Sequence, residues 1–152
     1  MTADDTLANG FEGGCFCGDV TYQVVGPAMF AYHCHCSDCR RINGTAFHTG
    51  IAVKRDVFRH ATGTLSAFQI EADSGNTITR WACPRCATSL WSITTADDTM
   101  MSIKAGTVTS IPHDQIHPTL QIFYQSRVPW ADVPSDLTTY SRGMRGQTPI
   151  TP

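Results

Sequence analysis

The chain has 152 residues, of which 41% are hydrophobic, and its formal net charge at pH 7 is −2. This length supports one hydrophobic core and argues against two ordinary domains. The sequence pI is about 6.3, and no run of lysine or arginine is longer than two residues. The pattern typical of proteins that bind nucleic acid or an anionic membrane surface is therefore missing, and we expect neither partner.

Residues 1–10 are predicted to be a flexible N-terminus. They contain acidic residues where a signal peptide would have basic ones, and neither they nor any later segment approaches the roughly 20 apolar residues of a membrane span. We therefore expect a cytoplasmic protein. Thiols stay reduced in that compartment, so closely spaced cysteines are more often metal ligands or catalytic groups than disulfides.

Alternation of apolar and polar residues predicts a single, mainly β domain over residues 11–140. Gly, Pro, Asn and Asp separate many short strands, a pattern that favours an all-β sandwich or open barrel. The clearest strands are expected at residues 20–26, 47–53, 64–70, 77–83 and 89–93, with weaker ones at 100–106 and 120–126.

Very little helix is expected. The best candidate is residues 37–43, where Ser37 could cap the first turn and Asn43 with Gly44 could end the helix. Residues 141–152 are predicted to be an extended C-terminal tail with little to bury, held weakly or by a partner chain, which leaves a homo-oligomer open.

The seven cysteines fall into a CxC pair, a CxCxxC triplet and a CxxC pair. In chain order these are Cys15 and Cys17; Cys34, Cys36 and Cys39; and Cys83 and Cys86. Zinc prefers four ligands in a tetrahedron, so the two pairs can close one structural site between them. The triplet is then left with three ligands and an open corner, which is the arrangement of a catalytic zinc. We thus predict two zinc ions per chain.

Other interpretations of the cysteines stay open. His33, His35 or His48 could supply a fourth protein ligand to the triplet. A CxxC pair also occurs in thioredoxin-type redox proteins, although the βαβ context of that motif is absent here. Cysteines used simply as small core residues fit poorly with seven residues in three tight groups. A zinc-sensing or thiol-redox protein would require the triplet to oxidise reversibly.

Arg40 and Arg41 directly follow the last cysteine of the triplet. Thiolates around zinc leave the site negatively charged, so guanidinium groups beside it supply counter-charge. They could also hold a substrate carboxylate through paired hydrogen bonds. The alternative is that both are ordinary surface arginines.

Three stretches and a short terminal motif occur in order between residue 13 and about residue 140: GGCFCGDVTYQVVG, CHCSDCRRINGTAF, SGNTITRWACPRCATSLW and VPW. Together they resemble the successive motifs of the glutathione-dependent formaldehyde-activating enzyme family, which also includes centromere protein V. Ser74, Gly75 and Arg80 fall in register with these motifs. The resemblance implies a β-rich fold of two packed sheets, which we expect to be antiparallel, with two zinc sites.

The resemblance also implies roles for the cysteines. It assigns the two pairs, Cys15 with Cys17 and Cys83 with Cys86, to a structural zinc, and it assigns the triplet to a catalytic zinc. The activity that it implies is formation of S-(hydroxymethyl)glutathione from formaldehyde and glutathione, which is classed as a carbon–sulfur lyase reaction.

The sequence departs from the family pattern at three places that bear on the site. Ala87 follows the second CxxC cysteine, where glycine is usual and where a left-handed turn would strain alanine. Gln121 stands where a histidine is usual, and the acidic stretch expected after Gly106 and Thr107 is missing. These changes bear on the substrate and leave the metal ligands untouched.

The sequence therefore predicts a zinc-dependent carbon–sulfur lyase-type enzyme that joins or separates a small aldehyde and a thiol such as glutathione. Its partners would be these small molecules. The competing hypothesis is a non-catalytic binding module stabilised by zinc, in which both metals are structural and the β surface contacts another macromolecule.

Overall fold

The computed structural model describes residues 7–152, so residues 1–6 of the predicted flexible N-terminus lie outside the described residues. Residues 7–29 and 51–116 form one compact unit, and residues 30–50 and 117–152 form a second. The predicted limits of a single domain at residues 11–140 stay a prediction.

The described residues contain eleven strands, which form two sheets, and this confirms the mainly β fold. In chain order the strands are β1 (Phe11–Gly14), β2 (Thr21–Val24), β3 (Phe30–Cys34), β4 (His48–Lys54), β5 (Phe58–Thr62), β6 (Ser66–Glu71), β7 (Thr77–Ala82), β8 (Ser89–Thr94), β9 (Asp97–Lys104), β10 (Pro118–Ile122) and β11 (Thr138–Thr139). The predicted helix is confirmed as α1 (Ser37–Asn43).

The first unit contains two antiparallel arrangements of strands. β1, β2 and β5 form a three-stranded sheet. The strands β6, β7, β8 and β9 each pair with the next, and β4 lies beside β9. Short, locally connected strands of this kind follow from the turn residues that separate them in the sequence.

Aromatic rings join the two arrangements of the first unit. Trp91 of β8 is 3% exposed, and its ring meets those of Tyr22 on β2 and Phe58 on β5 at centroid distances of 5.8 and 4.8 Å. Fully buried aliphatic side chains, among them Leu90 and Ile103, extend this core. Burial of large rings between sheets is a main source of stability in β folds, so the expected packing of sheets is present in this unit.

The second unit has parallel pairings, whereas the sequence analysis expected antiparallel sheets. β10 lies between β3 and β11 and is parallel to both. β4 lies beside β3 on the other side from β10. A long connection rather than a hairpin joins β3 to β10, and only such a connection allows two strands to run in the same direction.

The ends of α1 differ slightly from the expectation. Its N-cap is Cys36, whose sulfur accepts a hydrogen bond from the backbone N–H of Cys39, and Ser37 is the first helical residue. The C-cap is Gly44 in the left-handed conformation with φ of 63°. Glycine adopts that conformation without steric cost, so the Asn43–Gly44 step ends the helix as predicted.

The C-terminal residues make backbone contacts within the second unit. Phe123 N–H donates to Arg142 O at 3.0 Å, and Ile150 N–H donates to Thr139 O at 2.7 Å. The last of these bonds belongs to a bridge between Thr139 and Ile150. The segment predicted as an extended tail thus follows the edge formed by β11.

A buried hydroxyl pair ties β2 to the segment after β9 in the first unit. Thr107 Oγ1 donates to Lys104 O at 2.7 Å, so the Tyr22 hydroxyl, 2.8 Å away, donates to Thr107. Burial raises the pKa of Tyr22 to about 12, so this hydroxyl keeps its proton at neutral pH. Gly13 on β1 pairs with Tyr22 and leaves the space that the hydroxyl occupies.

We expect Gly13→Ala to destabilise the protein by about 1–3 kcal/mol. An added Cβ would clash with both the Tyr22 hydroxyl and the Thr107 carbonyl, and the hydrogen bond holds that ring in place. Urea unfolding of metal-saturated protein measures the change. Gly106→Ala is the matched control, because no atom lies within 4 Å of its added Cβ; equal effects of the two substitutions would contradict the expectation.

Candidate metal centres and their surroundings

The first unit brings the two cysteine pairs together. Cys15 and Cys17 lie between β1 and β2, and Cys83 and Cys86 lie between β7 and β8. The Sγ atoms are 3.5 Å apart for Cys15 and Cys17 and 3.7 Å apart for Cys17 and Cys83, and all four lie within 4.8 Å of one another. Tetrahedral metal–sulfur bonds of about 2.3 Å separate sulfurs by about 3.8 Å, so this four-cysteine cluster fits a single metal ion.

Backbone hydrogen bonds fix both turns of the four-cysteine cluster. Cys15 N–H donates to Val20 O at 2.9 Å, and Val20 N–H donates back to Cys15 Sγ at 3.2 Å. In the other turn, Ala87 N–H donates to Cys83 O at 2.9 Å, and Cys83 N–H donates to Thr88 O at 3.0 Å. A backbone N–H that points at sulfur favours the thiolate, which is the form that binds a metal.

Thr88 links the two turns. Its Oγ1 accepts a hydrogen bond from Phe16 N–H at 3.1 Å and lies 3.1 Å from Cys86 Sγ. Hydrogen bonding from the Thr88 side chain lowers the pKa of Cys86 to about 5, and backbone hydrogen bonds add to the effect. Cys86 is therefore a thiolate at neutral pH and a good ligand.

Ala87 adopts the left-handed turn that the sequence analysis associated with glycine. Its φ is 61°, one of two positive values among the described non-glycine residues. The turn after Cys86 thus keeps the left-handed form with alanine, at a steric cost of about 1–2 kcal/mol for a residue with a Cβ.

The second unit brings Cys34, Cys36 and Cys39 together. Cys34 ends β3, Cys36 caps α1 and Cys39 lies in its first turn, and their three sulfurs lie within 4.8 Å of one another. Hydrogen bonding to Cys36 and Cys39, together with burial, raises the pKa of the Cys34 thiol well above its ordinary value. Without a cation the three sulfurs cannot all be thiolates, so this three-cysteine cluster suits a metal ion.

All seven cysteines lie in the described part of the chain, and none forms a disulfide. Among the described residues, no histidine nitrogen or carboxylate oxygen joins the three-cysteine cluster within 4.8 Å of every sulfur. His33, His35 and His48 therefore remain outside the ligand set in this arrangement, and the cluster offers three corners of a tetrahedron.

A chain of hydrogen bonds fixes the orientation of His35, which is 1% exposed. Thr139 Oγ1 donates to Leu137 O at 2.9 Å, so it accepts the bond from Gln121 Nε2 at 2.8 Å. Gln121 Oε1 then accepts from His35 Nε2–H at 2.9 Å. Burial lowers the pKa of His35, so the ring is neutral, and its buried Nδ1 has no hydrogen-bond partner. This nitrogen is a buried hydrogen-bond acceptor whose lone pair is not used.

Aromatic rings lie beside His33 of β3 and His35, which follows β3. Phe47 lies between them, with its ring centroid 4.5 Å from that of His33 and 5.2 Å from that of His35. His33 Nδ1 is 3.0 Å from Thr49 Oγ1. These contacts hold both imidazoles in place beside the three-cysteine cluster.

The two arginines of the sequence analysis differ in their surroundings. Arg40 is half-buried, and its Nη1 donates to Ser126 O at 2.9 Å. Arg41 is exposed. Of these two arginines, Arg40 is the one whose side chain is anchored to another segment of the described chain, and its anchor is the turn after β10.

Sequence reasoning missed two residues of that turn. The Tyr124 ring meets His35 edge-on at 5.8 Å, and the Arg127 guanidinium lies over Tyr124, with Cζ 4.1 Å from the ring centroid. The sequence predicted only a weak strand over residues 120–126, and no motif within it indicated that it lies close to the cysteines. The parallel pairing of β10 with β3 brings them there.

In the part of the chain that the structure describes, no helix combines the length and the apolar character needed to cross a bilayer.

Comparisons with known proteins agree with the cysteine motifs. A family model described as glutathione-dependent formaldehyde-activating enzyme matches residues 10–126. A curated protein from Halomonas elongata that bears the name of this enzyme is 33% identical over 84 residues. That match covers 53% of this chain and 54% of the relative, so the chain spans about half the length of the curated relative that it matches.

A solved structure shares the fold. The crystal structure of a Rhodobacter sphaeroides protein matches with a TM-score of 0.56 and 19% identity, over 70% of this chain and 96% of that chain. At this identity the likeness concerns the fold alone.

We expect Ala87→Gly to stabilise metal-saturated protein by about 0.5–1 kcal/mol. The free energy gained by removing the left-handed strain is larger than the free-energy cost of the extra backbone entropy that glycine loses on folding. The midpoint of urea unfolding measures the effect. Ala28→Gly is the matched control, a partly exposed alanine without positive φ, and it should lose stability. A loss for Ala87→Gly as large as the control's would contradict the expectation.

We expect Gln121→Leu to destabilise the protein by about 2 kcal/mol or more, because it removes the buried partner of both His35 and Thr139. Imidazole ¹⁵N spectra should also lose the resonance pattern of a fixed Nε2–H tautomer at His35. The control is Gln125→Leu at an exposed position of the same unit, with an effect within about 0.5 kcal/mol. A wild-type tautomer pattern in Gln121→Leu would show that Gln121 does not orient the ring.

Proposed function

Because the chain belongs to the glutathione-dependent formaldehyde-activating enzyme family, we propose that it is a zinc-dependent carbon–sulfur lyase-type enzyme. It joins or separates a small aldehyde such as formaldehyde and a thiol such as glutathione, as an S-(hydroxymethyl)glutathione synthase does. The observation that best supports this function is the division of the seven sulfurs into a cluster of four and a cluster of three. A protein that used metal only for stability would be expected to close both sites.

We assign a structural zinc to Cys15, Cys17, Cys83 and Cys86 and a catalytic zinc to Cys34, Cys36 and Cys39, which makes two zinc ions per chain. Thiolates are typical zinc ligands, and the sulfur spacings fit tetrahedral coordination. When zinc is bound at the three-cysteine cluster, it supplies Lewis acidity at an open position, which lowers the pKa of a thiol or polarises an aldehyde oxygen.

The proposed reaction conserves every atom of its substrates. In the joining direction, a bond forms between the thiol sulfur and the aldehyde carbon. The proton leaves the sulfur and the carbonyl oxygen gains one, so the product is a hemithioacetal. The separating direction breaks the same carbon–sulfur bond and returns the proton to sulfur.

Residues of the second unit would bind and orient these substrates. Cys39 N–H donates to Cys36 Sγ at 3.3 Å and so holds the loop of the three-cysteine cluster in shape. His35 is buried, and its bond to Gln121 Oε1 would hold the loop between Cys34 and Cys36 in a fixed orientation beside the substrates. Arg40, anchored to Ser126 O, is better placed than the exposed Arg41 to hold a substrate carboxylate.

We place this chemistry in the cytoplasm, where thiols stay reduced. Two cysteine clusters that could each hold a metal ion fit a compartment of that kind. The partners are then small molecules, a thiol and an aldehyde.

Cys36→Ser tests the proposal. Serine is a favoured N-cap, so α1 should still form, whereas the three-cysteine cluster loses one ligand. We expect wild-type protein to contain two zinc ions per chain, one of them exchangeable, and Cys36→Ser to lose the exchangeable one. NMR of glutathione and formaldehyde should show adduct formation above the spontaneous rate for wild type and not for the variant.

Ser37→Ala is the control, because it alters the same turn without removing a ligand. Full zinc content and full activity in Cys36→Ser would overturn the catalytic role of the cluster. Two zinc ions that do not exchange, with no acceleration by wild type, would favour the non-catalytic binding module instead.

A further inference from the structure

We propose that Arg40 and Arg127 form a carboxylate clamp that selects a thiol carrying two carboxylates. The inference rests on the proposed function for the identity of the substrate. It adds Arg127, which the sequence analysis did not identify, and leaves Arg41 outside the clamp. All the residues involved belong to the second unit.

Both guanidinium groups are anchored to backbone carbonyls of one short turn. Arg40 Nη1 donates to Ser126 O at 2.9 Å, and Arg127 Nη1 donates to Tyr124 O at 3.1 Å. These carbonyls belong to the 3-10 turn Tyr124–Ser126. The two arginines come from different parts of the chain, since Arg40 lies in α1 and Arg127 directly follows the turn. The turn therefore anchors two separate cations.

Arg127 is fixed although it is exposed. Its Cζ lies 4.1 Å from the centroid of the Tyr124 ring, so the guanidinium stacks on an aromatic face in addition to its hydrogen bond. An exposed arginine usually samples many conformations, and this double contact restricts them. A preordered cation binds an anion with a smaller loss of entropy than a mobile one.

Both cations retain free binding capacity. A guanidinium has five N–H donors, and each anchor uses one of them. Neither guanidinium has a carboxylate of the described residues within 4.0 Å. The remaining donors can therefore receive a planar carboxylate through two parallel hydrogen bonds, which is the geometry that arginine favours.

The turn lies beside the three-cysteine cluster. Tyr124 meets His35 edge-on at 5.8 Å, and His35 stands between Cys34 and Cys36 in the chain. His35 N–H also donates to Ile122 O at 3.0 Å, which ties the start of the turn to the cysteine loop. Arg40 directly follows Cys39. A thiol whose sulfur reaches the cluster would thus have two anchored cations near the rest of the molecule.

The experiment uses metal-loaded protein and S-methylglutathione, which keeps both carboxylates but has a blocked sulfur. The Tyr124 ring resonances report binding by NMR. We expect Arg40→Gln and Arg127→Gln each to weaken binding about tenfold, because each removes charge-assisted hydrogen bonds at a partly solvated position. Arg142→Gln, at an exposed arginine of the same unit, is the control and should change binding by less than about twofold.

A second ligand tests the role of charge. The diethyl ester of S-methylglutathione lacks both carboxylates and should bind wild type about as weakly as it binds Arg127→Gln. Raising the salt concentration should weaken binding of the acid to wild type and hardly affect the ester, since exposed charges are screened.

Three results would overturn the clamp: wild type does not bind S-methylglutathione, Arg127→Gln binds it as tightly as wild type, or the ester binds wild type as tightly as the acid. Activity separates this inference from the proposed function. If binding depends on the two arginines but adduct formation is not accelerated, the clamp is supported and the proposed enzymatic function is rejected. If glutathione and uncharged 2-mercaptoethanol react with equal acceleration, the enzymatic function is supported and the clamp is rejected.

Discussion

Crowding of sulfur atoms is the constraint on which the local structure of each unit depends. Four sulfurs within 4.8 Å of one another in the first unit, and three in the second, cannot all ionise unless a cation lies among them. A bound metal removes that repulsion and links turns that are distant in sequence, so its binding energy becomes folding energy. The turns contribute backbone N–H groups, as Val20 does to Cys15 and Cys39 to Cys36, and so favour thiolates before the metal binds.

The register between β3 and β10 sets the surroundings of the three-cysteine cluster. Gln121 pairs with His33 and Ile122 pairs with Cys34, so the next residue, His35, meets both the Gln121 side chain and the Ile122 carbonyl. A shift of one residue would turn Gln121 to the opposite face of the strand and leave His35 Nε2–H without its partner. One parallel strand pair therefore orients the imidazole and positions the turn that anchors the arginines.

The sequence predicted the parts of the fold that local pattern determines, namely the alternating strands, α1 and the division of the cysteines. It missed Phe11–Gly14, where two glycines hide the alternation, and Phe58–Thr62, which is mostly exposed and so shows no apolar face. It also missed the short strands Phe30–Cys34 and Thr138–Thr139. The cysteines of each motif are only two or three residues apart, so the sequence alone was enough to predict which of them group together. The partner of His35 and the anchor of Arg40 lie 86 residues away, and only the parallel pairing, which has no local signal, brings them together.

Two of the departures from the usual family pattern differ in what they affect. A left-handed alanine costs about 1–2 kcal/mol, whereas structural zinc sites in small peptides supply about 10–16 kcal/mol, so a metal held by the four-cysteine cluster would outweigh the strain at Ala87. The Gln121 amide supplies both an acceptor and a donor, and it fills these two roles between His35 and Thr139. An amide cannot change charge as an imidazole can, so it holds His35 in one tautomer at every pH near neutrality. Gln121 therefore fixes the orientation of His35 while lying outside the cysteine cluster that could hold a metal ion.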